Sequence, residues 1–487
     1  MPSRTGARCG GRAIARNSTL AIRRQRSAVR PQPSAREYSS PAPPRWPRPR
    51  RTGRRPLATA IIRAMWLQRR ARLAGALAVF LVGCTPAAPS PTPSATPSPP
   101  PVVPSTLTSP SATPSPDLIT VWVPPFLEAS SSTTAGALLA DRLAQFEADQ
   151  PGVRVQLRLK ETSGPAGLLE SLRAATAVAP AALPDLIALT ASDLATAADE
   201  GLVDAYPAGL PPQTTSWLSF AVEGASPAGV LYGVPLAAQT DVIVYDVPSF
   251  ARAPADWSDL IGGPAPFLFP AADPRASFTL AQYLALGGQL TQADGSPALD
   301  PSVLEEVLTF YGSAYNAGVL PLTSRQYESS AQTWSAFQQR RAASAVAPLE
   351  AWLADPLSGA SAAPLPTRDG AGVTVATTWT WAVVTRDPET QSVLVELVEW
   401  LSDPEFTGPW THSLRRMPVQ AAALAAWPDG PARLLVQQLA AVARAAPPQT
   451  LLDVVGPPTR RAVDAVLSGA QPPQAAALTA SMEVVAP

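Results

Sequence analysis

From residue 118 to residue 201 the apolar spacing of this chain switches repeatedly between strand-like and helix-like, and that alternation restricts the fold to helices packed on a largely parallel sheet. Residues 118–123 form a short apolar run that reads as a strand. Over 135–150, Leu138, Leu139, Leu143 and Phe146 share one helical face, and Pro151-Gly152 ends it. Val153, Val155, Leu157 and Leu159 then alternate with Arg154, Gln156, Arg158 and Lys160, the pattern of a strand with one buried face. A helix over 167–177, a strand over 186–189 and a helix over 194–200 closed by Gly201 complete a β-α-β-α-β-α series. It predicts a parallel, doubly wound sheet with helices on both faces.

Beyond this series, strands are expected over 231–236 and 242–245, and helices over 303–315, 393–401 and 460–467. A strand-like run over 373–384 carries Trp379 and Trp381 on one face. The roughly 370 residues from Asp117 onward are long for one hydrophobic core and comfortable for two lobes.

The residues before Asp117 have a different character. Arg69, Arg70 and Arg72 precede ten apolar residues, 73–82, and then Gly83-Cys84. That is the layout of an export signal over 65–83. Ten residues are too few to cross a hydrocarbon layer, which takes about 20 as a helix. The segment ending Leu81-Val82-Gly83-Cys84 resembles a bacterial lipobox, which implies lipidation of Cys84, cleavage before it and acylation of the new amine. Residues 1–64 hold 16 arginines and a single acid, Glu37, with no apolar periodicity. They read as a basic leader arising from start-site assignment. Residues 85–116 contain 12 prolines in 32 positions and no charge, so 84–116 reads as an extended tether.

Nineteen of the 37 basic residues but one of the 37 acids precede Cys84, leaving a body of net charge −18. Such a body disfavours nucleic acid as a partner. With Cys9 upstream and Cys84 lipidated, no disulfide is expected. Catalytic and metal-binding material is scarce: His412 is the sole histidine, Lys160 the sole lysine, and no Gly-rich phosphate loop occurs. No enzymatic activity, metal or cofactor is expected. Close carboxylate pairs are inevitable among 36 acids, so a secreted glycoside hydrolase stays an alternative that turnover alone would establish.

The body resembles the type 1 extracellular solute-binding proteins, the maltose-binding-protein-like family. The resemblance is carried by Ile119-Thr120-Val121-Trp122, Phe146-Glu147, Pro151-Gly152-Val153-Arg154-Val155 and Pro184-Asp185-Leu186-Ile187. It continues through Tyr232-Gly233-Val234-Pro235-Leu236, Asp256-Trp257-Ser258-Asp259-Leu260, Gly287-Gly288, Trp400-Leu401, Asp403-Pro404-Glu405 and Met417-Pro418-Val419. The family's glycine, alanine and methionine run after Phe337 is replaced here by Arg340-Arg341-Ala342-Ala343-Ser344. The resemblance implies an α/β fold of two lobes, 117–238 with about 379–412 and 239–378 with about 413–487. The lobes would be joined by hinge crossovers near residues 239–241, 377–378 and Met417, with a ligand cleft between them.

On that resemblance, Gln239, Thr240 and Asp241 lie in the hinge, where three polar side chains interrupt an apolar strand. Gln239 falls where the family has a ligand-contacting carboxylate. Asp193 matches a sugar-contacting loop but also suits a helix N-cap. Glu350 and Trp352 match an aromatic-rich cleft segment, with Glu350 in place of an aromatic. Trp122, Trp379 and Trp381 offer flat faces for a sugar ring, although a strand tryptophan serves a core equally well. Trp400 shares a helical stripe with Leu397 and Leu401 and reads as core. Arg275 and Ser277 follow an apolar strand and lie within reach of the cleft or in a solvated loop.

The expected function is therefore a lipid-anchored, monomeric binding subunit of an ATP-driven (ABC) importer on the outer face of the cell membrane. It would capture a carbohydrate or oligosaccharide and hand it to permease subunits. A surface scaffold or adhesion lipoprotein of the same fold is the alternative.

Overall fold

The computed structural model describes residues 117–211 and 216–485. The expected leader (1–64), export signal (65–83), Cys84 and tether (84–116) lie outside the described residues. Among the described residues, no helix is long and apolar enough to cross a membrane.

Nine strands are described: β1 (Asp117–Val123), β2 (Val153–Leu159), β3 (Leu186–Thr190), β4 (Val234–Asp246), β5 (Phe267–Leu268), β6 (Ser344–Pro348), β7 (Ala360–Ala363), β8 (Thr374–Val383) and β9 (Ala443–Ala445). They are ordered β2-β1-β3-β8-β4-β6-β5, with β7 on β4 and β9 on β8. β1 pairs in parallel with both β2 and β3, as the opening alternation predicts. The all-parallel expectation then fails, because β8 enters beside β3 antiparallel and pairs antiparallel with β4 as well. The sheet is mixed because β8, some 190 residues beyond β3 in sequence, supplies the neighbour that local alternation cannot foresee.

Local chemistry explains the element boundaries. In the helix Thr134–Asp149, Leu139, Leu143 and Phe146 are buried on one stripe, and Thr133 caps the start by accepting from the Gly136 amide at 3.0 Å. Burial of each such side chain contributes about 1.5–3 kcal/mol. Gly136 is required, since a Cβ there would lie 2.5 Å from the Ser130 carbonyl oxygen. A capping box between Asp256 and Asp259 starts the helix Trp257–Ile261. The last long helix to be expected from sequence, 460–467, in fact runs from Gln449 to Leu467 and passes through Pro457 and Pro458. Those prolines have no N–H to bond the carbonyls of Asp453 and Val454, both of which are exposed residues. Arg340, in the segment that departs from the family run, adopts φ +59°, a conformation that a glycine would take without strain.

Two lobes arise because β4 and β8 are shared. Residues Val234–Thr240 of β4 pair with β8, whereas Asp241–Tyr245 pair with β6. Residues Thr374–Ala376 of β8 pair with β9, whereas Trp379–Val383 pair with β3. A third segment joins them: Ala238 and Met417 exchange amide-to-carbonyl bonds at 2.8 and 3.0 Å. One core gathers Ile119, Leu139, Leu186 and Trp410, and another gathers Ile243, Phe269, Tyr311 and Val463. A third unites Phe220, Val242, Trp334, Met417 and Trp427.

Candidate functional site

Where β4 and β8 cross between the lobes, a cleft of about 600 Å³ opens over the middle of both strands and beside the carboxyl ends of β3 and β6, whose Thr190 and Pro348 line it. This is where open α/β sheets leave room for ligands. Gln239, Thr240 and Asp241 from β4 and Thr377 and Trp379 from β8 form its floor, while Asp193, Arg275, Ser277 and Glu350 line its sides.

The floor is organised by Gln239. Its Oε1 accepts the Trp379 indole N–H at 2.9 Å, and its Nε2 donates to Glu350 Oε1 at 3.3 Å. The carboxamide orientation is thus fixed from both ends. Trp379, 2% exposed, meets the ring of Phe126 edge-on at 5.1 Å. The Arg416 guanidinium lies over the other part of this aromatic corner, 3.9 Å from the Phe126 ring centre. Thr240 lines the cleft, but its hydroxyl is engaged with Thr374 and donates to the Val375 carbonyl at 2.9 Å. It binds the crossing strands together.

Two carboxyls in the cleft hold protons more tightly than usual. Removal from bulk water pushes Asp241 up to about 7, against a stabilising bond from Ser330 and with Glu350 and Asp273 adding repulsion. Burial also raises Asp193, opposed by the Thr190 hydroxyl and by Arg173 and Arg275. Asp193 is not the N-cap of its helix, Ala191–Asp199; Thr190 is, accepting from the Asp193 amide at 3.1 Å. The cap is one turn earlier than the sequence predicts, and the Asp193 carboxylate, hydrogen-bonded to the Thr190 hydroxyl, lines the cleft.

Three of the sequence candidates, Trp122, Trp352 and Trp381, stand apart from the cleft lining. Trp122 is 4% exposed in the core of the first lobe with Lys160 4.4 Å above its ring, because both faces of β1 are covered and the strand offers no cleft-facing side there. Trp352 packs against Trp334 at 6.0 Å in the third core, since the helix Leu349–Ala354 turns Glu350 to the cleft and Trp352 away from it. Trp379 and Trp381 also belong to the first lobe's core and Trp400 is half-buried against it; of these three, Trp379 alone lines the cleft. Sequence reasoning missed Phe126, Ser192 and Arg416, which line the cleft. Nothing in the spacing around Arg415-Arg416 distinguishes a buried arginine from a solvated one. Among the described residues no cluster of three or more His, Cys, Asp or Glu side chains is arranged for a metal.

Two α/β lobes sharing crossing strands, with a polar cleft floored by those strands, define a hinged binding protein. The chain belongs to the family described as bacterial extracellular solute-binding protein, whose profile matches residues 141–435. A search among curated proteins finds no match. Solved structures are similar in fold. The cyclic alpha-maltosyl-1,6-maltose binding protein of Arthrobacter globiformis aligns with TM-score 0.63 at 21% identity, over 76% of this chain and 98% of that one. The sugar-binding protein MalE of Xanthomonas citri aligns with TM-score 0.63 at 18% identity, over 76% and 96%. MalE of Listeria monocytogenes, solved with maltose, aligns with TM-score 0.60 at 17% identity, over 75% and 96%. These identities speak to fold.

Proposed function

We propose that this chain is the lipid-anchored, extracytoplasmic solute-binding subunit of an ABC importer, and that it captures a carbohydrate or oligosaccharide by closing its two lobes. The observation that carries this reading is the Gln239 hub, which holds an indole edge and a carboxylate in fixed register on the floor of a cleft built on crossing strands. Fixed amide, carboxylate and hydroxyl groups beside aromatic edges suit a molecule that is hydroxylated at its rim and apolar on its faces. The cyclic alpha-maltosyl-1,6-maltose and maltose bound by solved proteins of similar fold point to the same ligand class. Closure would be a hinge motion about residues 239–241, 377–378 and 417, driven by contacts made only in the closed state.

The lobes are assigned as 117–238 with about 379–412 and 239–378 with about 413–487. Ligand contacts are assigned to Gln239, Trp379, Asp193, Glu350 and Asp241. Cys84 carries the lipid, and the 84–116 tether gives the body reach to permease subunits. No catalytic role is assigned to any residue. A thermal-shift panel of sugars, polyols, amines and oligopeptides tests the ligand class: a rise in melting temperature with at least one sugar supports it, and a rise confined to amines or peptides overturns it. Mass analysis of detergent-extracted protein tests the anchor, which requires a diacylglyceryl adduct on Cys84.

A further inference from the structure

The side chain of Arg416 is a buried cation with no hydrogen-bond partner among the described residues. It is 8% exposed, its Nε and Nη1 are sealed from solvent and unbonded, and it lines the cleft beside Phe126. No carboxylate among the described residues lies within ion-pair distance; Glu350 acts on it only through space. Burial lowers its proton affinity from the usual value for arginine, although a guanidinium stays charged at any physiological pH.

The position is built rather than incidental. Arg415 takes φ +59° to end the helix Pro404–Leu414, the Arg416 amide donates back to the Thr411 carbonyl at 3.1 Å, and Met417 is clamped to Ala238 in β4 on both sides. A left-handed non-glycine residue is strained, and here the strain turns the next side chain inward to the cleft. A side chain so held has little rotamer freedom left to lose on binding a ligand.

A desolvated guanidinium is stabilised by an anion, which offers a charge-assisted bond together with the countercharge, and Nη2, the nitrogen that is not sealed, is the one that can meet it. Neutral hydroxyls would satisfy the N–H groups and leave the charge uncompensated. Glu350 and Asp193, which also line the cleft, are acceptors that suit hydroxyl donors. Arg275 adds a second cation to the wall.

We propose that Arg416 is the anion-recognition residue of the cleft and that the solute is an acidic carbohydrate, with a carboxylate on the Arg416 guanidinium and hydroxyls on Gln239, Glu350 and Asp193. This rests on the carbohydrate reading above. Specificity then comes from Arg416, which takes the carboxylate, and from the cleft acids, which take hydroxyl donors.

Isothermal titration of the full chain with matched pairs tests it: digalacturonate against galactobiose, and maltobionate against maltitol. The expected result is at least a tenfold tighter Kd for the acid member of a pair. In R416Q the acid-to-neutral ratio falls toward one, and R416K restores part of it, because the charge returns without the planar fork. Circular dichroism melts verify that the variants fold. If R416Q does not fold, the wild-type protein decides: raising salt from 20 to 200 mM must weaken the acid and spare the neutral sugar. Neutral sugars binding as tightly as acids, or an acid preference that survives R416Q, overturns the proposal and leaves the carbohydrate reading intact. Failure of every sugar, acidic or neutral, overturns both.

Discussion

The indole N–H of Trp379 donates to the Gln239 side-chain oxygen at 2.9 Å across two strands that both pass between the lobes. Trp379 lies opposite Ala237 in the ladder, so Gln239 is its diagonal neighbour on the same face. The bond therefore ties together the two crossing strands that floor the cleft. Trp379→Phe keeps most of the ring and removes the donor. It should lower the unfolding free energy by roughly 1–1.5 kcal/mol, read as a lower urea midpoint at unchanged slope. It should also weaken solute binding, since Gln239 is then held only by Glu350. An unchanged midpoint and affinity would show that the bond does not organise the floor.

The carboxyl of Asp241 binds its proton more tightly in the folded protein, with a pKa of about 7, than in the unfolded chain, where it is about 4. The folded state then holds more protons than the unfolded state between these values, so stability falls as pH rises from 4 to 7. Asp241→Asn removes this component. Denaturant unfolding at pH 4.5 and pH 8 should show the wild type losing stability relative to Asp241→Asn as pH increases. A wild-type loss no larger than that of the variant would mean that Asp241 titrates normally.

Thr190 caps the helix that presents Ser192 and Asp193 to the cleft. Thr190→Val keeps the shape and deletes the oxygen that accepts from the Asp193 amide. The cost should be about 1 kcal/mol in stability, with a loss of affinity as the first turn frays. Loss of stability with full affinity would place Asp193 outside the ligand contacts.

A methyl group on Gly456 would lie 2.7 Å from the Cα of Arg275 and 2.9 Å from the Pro274 carbonyl oxygen. Both neighbours are backbone, so neither can move cheaply. Gly456→Ala should destabilise the protein by about 1–3 kcal/mol and displace the loop that brings Arg275 to the cleft wall. A melting temperature within error of the wild type would show that helix and loop separate without cost.

The part of this architecture legible in the sequence is the part specified by nearby residues. The alternating faces of β2 and the stripe Leu139, Leu143 and Phe146 are local patterns, and the family resemblance added the two-lobe plan. Pairings between distant segments left no local mark. The antiparallel entry of β8 between β3 and β4 joins strands nearly 190 residues apart, and Trp379 reaches Gln239 across 140 residues. Tryptophan placement was legible only where one strand face was open: β1 is covered on both faces, so the sequence could not tell whether Trp122 serves a core or a cleft. Arg416 was invisible for a related reason, because arginine ordinarily belongs to the surface and only the left-handed turn at Arg415 sends it inward.

Native mass spectrometry of the protein purified without denaturation tests the central claim most directly. A non-covalent adduct with the mass of a carbohydrate is expected, released on unfolding, reloaded by titration, and lost in a Gln239→Leu, Trp379→Ala double variant that remains folded. A retained ligand of another chemical class, or a sugar adduct that survives in that variant, would contradict it.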